Sequence, residues 1–301
     1  MKATYLIILI FVVGSLQAIA YPIPPQPLRK LVANAETIVY AKVVAIESIE
    51  HDQQWNDVKA TLQITEVLQG KVTQASIQVF FSNGMICPAP AKYEKGTFVL
   101  AFLNKEGNHY VTQALSYGSK KLTSDAYSVY KQRILEIQTI AAIKNEQQKI
   151  IKTVEWLVTC AEHPVTRWEG VYELSPNSDF MAYYDDTIET KNRRYFLTES
   201  QTKRLRMALF KIEELNYEDL GLIGLTVQEN DEVMLQFLIE KMRSVDVDTC
   251  WYTERLMEYI ATIANRQDLK QIVAEMNAID ILEAGSRKKH DDLVRRFIKI
   301  M

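Results

Sequence analysis

The stretch that decides the fold of the N-terminal half is VKATLQITEVLQG, which runs from Val58 to Gly70. Apolar and polar side chains alternate along it, and this period is typical of a β-strand with one buried face. Four more strands are predicted around it, at residues 36–49, 77–81, 97–103 and 109–114. Between the last two, Asn104–Asn108 is predicted to form a hairpin loop in which Gly107 adopts a positive φ.

After Lys121 the apolar period changes to 3.6 residues, which predicts helices from there to the C-terminus. These helices are expected at residues 127–143, 147–161, 198–215, 217–227, 231–242, 249–264, 268–279 and 289–300. Ile150 is expected on the buried stripe of the second helix, with Val154 and Leu157. Since no fixed repeat motif is visible, the helices form either an irregular bundle or a short α-solenoid.

The first 20 residues have the pattern of a secretory signal peptide. Lys2 precedes an apolar stretch from Tyr5 to Val13, and Ala18 and Ala20 are small residues at the two positions that a signal peptidase reads. A buried N-terminal helix or an uncleaved anchor is the alternative. The apolar stretch is shorter than the roughly 20 residues of a spanning helix. We therefore expect cleavage after Ala20, export to the periplasm or the medium, and no transmembrane segment in the mature chain.

The amino-acid composition bears on the class of partner and on the cellular compartment. The chain has 35 basic and 38 acidic residues, and this balance argues against a nucleic-acid partner. No glycosylation sequon occurs, which favours a bacterial envelope. The three cysteines, Cys87, Cys160 and Cys250, allow one disulfide or none. The sequence thus predicts an α+β protein with a signal peptide at 1–20, an OB-like β-barrel domain at 21–122 and an all-α helical domain at 123–301.

The strand segments also carry a family resemblance. AETIVYAKV at 35–43 is followed by TLQITEVLQG at 61–70, YEKGTFVLAFL at 93–103 and a terminal Gly118-Ser119. This order resembles the bacterial relatives of the netrin-like domain, the five-stranded OB-type barrel shared with tissue inhibitors of metalloproteinases. The resemblance covers about residues 28 to 122 and implies a barrel that binds proteins.

The zinc-chelating mechanism of those inhibitors does not carry over to this chain. Their mature chain begins with a cysteine whose amine and carbonyl chelate the protease zinc, whereas this one is expected to begin Tyr21-Pro22. The first cysteine is Cys87, and Ala114 stands where relatives often have a cysteine near the end of strand five. What remains is a barrel that hosts oligosaccharide, nucleic-acid and protein binding alike.

The densest group of chemistry-bearing side chains lies at the end of the second predicted helix. The predicted ligand-binding residues there are Glu162, His163, Arg167, Trp168 and Glu169. Capping and packing of a helix end is the competing interpretation, because the helix dipole favours a histidine at that position whatever its role.

Two further groups of residues have a structural interpretation as well as a functional one. Met85 and Ile86 form either an exposed interaction loop or a plug at the barrel end. Arg204 and Arg206 belong to local positive patches that we interpret as solvated helix faces. Phosphate loops, nucleophile elbows and paired zinc-binding histidines are absent from the sequence, so no catalytic residue, metal ligand or cofactor is assigned.

Two classes of function follow. The first is a non-enzymatic exported binding or scaffold protein, whose partner is a protein in the cell envelope or outside the cell. The alternative is an envelope hydrolase that uses carboxylates with His163 as acid or base.

Overall fold

A computed structural model describes residues 24–50, 56–83, 89–175, 196–228, 230–244, 252–280 and 282–301. The described residues divide into two compact units, one running to Ile134 and the other from Leu135 to the C-terminus. The first unit is built on a closed β-barrel and the second is helical. The predicted α+β layout is confirmed.

Six strands form the barrel sheet. They are β1 (Thr37–Ser48), β2 (Val58–Gln69), β3 (Ser76–Phe81), β4 (Phe98–Glu106), β5 (His109–Thr112) and β6 (Ser119–Lys121). The order β1-β2-β3-β5-β4 is closed by hydrogen bonds between β4 and β1, so five strands complete the ring. β3 and β5 are parallel, the other pairs are antiparallel, and β6, which was not predicted, adds to the start of β4.

The alternation seen in the sequence sets the barrel interior. Ala60 and Leu62 of β2 are fully buried, whereas Lys59 and Thr61 face outward and are partly exposed. Inward residues of all five ring strands fill the core, among them Val39, Val79, Ala101 and Tyr110. β1 bends through register shifts against β2, which let one long strand follow a small barrel.

The β4–β5 hairpin is tighter than predicted. β4 continues to Glu106 and β5 starts at His109, so the loop is only Gly107-Asn108. Gly107 has φ +57°, as its predicted role in the turn requires.

Two helices belong wholly or in part to the barrel unit. α1 (Leu28–Asn34) buries Leu28 and Leu31. The first half of α2 (Ser124–Ala141) is held against the barrel by Tyr127, whose ring stacks on Tyr40 with centroids 3.6 Å apart. Its hydroxyl donates to Glu66 at 2.5 Å, and burial together with this bond raises the pKa of Tyr127. These contacts explain why the first unit extends to Ile134.

The helical unit begins with the end of α2. It continues with α3 (Glu146–Glu162), α4 (Arg167–Leu174), α5 (Glu199–Leu209), α6 (Leu220–Thr226), α7 (Glu232–Ser244), α8 (Thr253–Ala264), α9 (Gln267–Asn277) and α10 (Ser286–Ile300). A 3-10 turn at Tyr217–Asp219 leads into α6. Thr198 and Gln201 form a capping box at the start of α5. α4 was not predicted.

Helix packing follows the order of the chain. α3 contacts α4 and α5, α5 contacts α6, and α7 to α10 pack each on the next. Packing between near neighbours in sequence is the pattern of a short α-solenoid. The buried stripe of α3 contains Val154 and Leu157 as predicted, but Ile150 is 47% exposed, so its predicted burial was wrong. Among the described helices, none is both long and apolar enough to cross a membrane.

Candidate functional site

A cleft of about 540 Å³ lies in the helical unit, where the end of α3 meets α5. Its volume is in the range of ligand pockets. The residues that line it are Glu162, Pro164, Arg167, Arg204, Met207, Ala208, Lys211 and Ile212.

Arg204 of α5 holds one wall of the cleft in place. Its Nε and Nη2 donate to the two oxygens of Glu162 at 2.8 and 2.5 Å, and its Nη1 donates to Glu155 at 2.5 Å. The second oxygen of Glu155 accepts from Gln201, the capping-box residue of α5. Hydrogen bonds to Glu162 and Glu155 raise the pKa of Arg204. A two-oxygen fork on Glu162 fixes both position and orientation of the guanidinium.

Glu155 illustrates how these bonds outweigh burial. Burial acts to raise the pKa of Glu155, but hydrogen bonds from Gln201 and Arg204 together bring it below its ordinary value. Glu155 is therefore charged at neutral pH, and the single guanidinium of Arg204 is shared by two carboxylates.

Arg167, the first residue of α4, is the second arginine that lines the cleft. Its Nη1 donates to Asp219 at 2.8 Å and its Nε donates to the carbonyl of Ala161 at 3.3 Å. Asp219 in turn accepts from the backbone N–H of Asn216 at 2.8 Å and so caps the 3-10 turn before α6. Arg167 thus ties α3, α4 and the start of α6 together.

The remaining lining is apolar, with one lysine. Met207 is 53% exposed, which leaves an apolar side chain open at the cleft. Ala208 and Ile212 continue this surface along α5 and the residues after it. Lys211 lies beside them, and its ammonium contacts no acceptor or carboxylate among the described residues. Apolar side chains together with a few charged ones are the usual lining of a ligand pocket.

The structure separates the five predicted site residues. Glu162 and Arg167 line the cleft. His163 is exposed at the end of α3, and its Nδ1 accepts from the backbone N–H of Val165 at 3.2 Å. Trp168 stacks on Tyr172 with ring centroids 5.4 Å apart. Glu169 is buried, with only 1% of its surface exposed. Two of the five therefore line the cleft, whereas His163 makes a turn contact, Trp168 packs on Tyr172 and Glu169 is buried.

Sequence reasoning missed the residues that α5 contributes. The interpretation of Arg204 and Arg206 as a solvated face is wrong, because both guanidinium groups hold ion pairs and Arg206 is only 18% exposed. Lys211 and Ile212 follow the end of the helix and carry no local signal of a site. Only the position of α5 on α3 brings them to Glu162.

Some predicted groups lie outside the described residues. They are the signal peptide at 1–20, Met85, Ile86, Cys87 and Cys250. Cys160 is described and is fully buried in α3. Within the described ranges, no three His, Cys, Asp or Glu side chains are placed to hold a metal ion.

Comparisons with known proteins add no family. No protein-family model matches the chain, and no curated protein matches it significantly.

Proposed function

We propose that this chain is a non-enzymatic exported binding protein, and that its helical unit takes a protein partner in the cleft between α3 and α5. One observation carries the proposal. The cleft combines an open apolar surface at Met207, Ala208 and Ile212 with charged side chains already fixed by internal ion pairs. Groups fixed before binding lose little conformational entropy when a partner arrives.

The barrel is the second binding module in this proposal. Its closed ring and its β1-β2-β3-β5-β4 order support an OB-type barrel, a class that binds proteins, sugars and nucleic acids. We keep the netrin-like relationship of residues 28–122 as part of the proposal, because the predicted strands of that resemblance are the strands of the ring. Protein binding through the barrel surface follows from the resemblance.

The geometry does not favour the hydrolase alternative. His163 lies outside the cleft lining and accepts a backbone N–H at Nδ1. Both oxygens of Glu162 accept from Arg204. A general acid donates a proton to the substrate and a general base accepts one, but His163 does not line the cleft and the two oxygens of Glu162 are held by Arg204.

Export is tested by the mass of the protein recovered from its own host. If residues 1–20 are a signal peptide, the intact mass corresponds to a chain that starts at Tyr21. Changing Ala20 to Arg blocks that cleavage, since signal peptidase reads small side chains there, and the longer chain accumulates. Recovery of the wild-type chain with its first 20 residues intact contradicts the proposal of a cleaved signal peptide.

The binding proposal is tested by capture of partners from the host's envelope and culture medium. The wild-type protein is expected to retain a discrete protein partner, and Ala208→Trp is expected to lose it, because an indole fills the cleft. Lys203→Trp is the matched control, since Lys203 is exposed on the same helix and lies outside the cleft lining. It is expected to retain the partner.

Folding of the variants is checked by circular dichroism and thermal unfolding. Met207→Glu is a second cleft variant. It is expected to fold normally, because more than half of the Met207 side chain is exposed. It places a carboxylate on the apolar surface and is also expected to lose the partner. Retention of the same partner by both folded cleft variants contradicts the proposal.

A further inference from the structure

We draw no further inference here: the strongest candidate, the apolar surface patch that the exposed side chains of Ile150 and Ile151 form on the first two turns of α3, is an unpartnered helix face, and nothing in the described part of the chain shows what covers it.

Discussion

Gly170→Ala is expected to destabilise the helical unit by about 3 kcal/mol, at the upper end of overpacking effects. Gly170 lies in α4, where that helix crosses α3 without an intervening side chain. A Cβ at this position would lie 2.2 Å from the carbonyl oxygen of Leu157 and 2.6 Å from the amide nitrogen of Ala161. Both atoms are backbone, so α4 has to move away from α3. Urea unfolding followed by circular dichroism measures the loss.

Gly224→Ala is the matched control for this prediction. Gly224 is also helical, in α6, and the nearest atom to an added Cβ is the Tyr259 hydroxyl at 2.9 Å, the end of a side chain that can move. Because alanine favours helix over glycine by about 1 kcal/mol, the stability of this variant is expected to be unchanged or slightly higher. Equal unfolding midpoints for the two variants contradict the close approach of α4 to α3.

Asp231→Ala is expected to lower the free energy of unfolding by about 3 kcal/mol, because it leaves the mostly buried Arg206 without its carboxylate partner. Asp231 precedes α7 and accepts from both Nη atoms of Arg206, at 2.6 Å for Nη2. It also accepts from the backbone N–H of Met234 at 3.0 Å, so it caps α7 as well. Asp231→Asn keeps the cap and loses the charge. Its stability is expected to lie between that of wild type and that of Asp231→Ala. An Ala variant within 0.5 kcal/mol of wild type, a surface-like effect, excludes the proposed role of this pair.

The same pair predicts a dependence on pH. The hydrogen bond from Arg206 holds the pKa of Asp231 below its ordinary value, despite burial. A carboxyl with a lowered native pKa contributes its full stabilisation above its unfolded pKa of about 4, and this contribution is lost as the pH falls through the native pKa. The stability difference between wild type and Asp231→Asn is therefore expected to shrink below about pH 4. A difference that stays constant from pH 7 to pH 3 contradicts this assignment.

The barrel was accessible to sequence reasoning because its signals are local. Alternation along Val58–Gln69 decides which side chains face the core, and Gly107 marks the one tight hairpin that closes β4 on β5. α4 was missed for the opposite reason. It has eight residues and a central glycine, Gly170, so its own propensity is weak, and its close packing on α3 stabilises it.

Only some of the cleft residues could be predicted from the sequence. Glu162 and Arg167 stand five positions apart and could be noticed together, whereas Arg204 and Lys211 reach them through helix packing. Arg204 and Glu162 are 42 positions apart, and Arg167 and Asp219 are 52 apart. No local pattern marks such partners, so an arginine that makes a partly buried ion pair was taken for a solvated one. The interaction loop at Met85 and Ile86 stays a prediction.

The central claim is that a partner binds in the cleft of the helical unit, and amide hydrogen exchange on the captured complex tests it most directly. Exchange is compared between the protein alone and the protein with its partner. We expect slower exchange in the complex at residues 155–168 and 199–212, which contain the lining of the cleft. Unchanged exchange at both segments, with slowing confined to the barrel residues 37–121, would contradict the claim and assign the partner to the barrel.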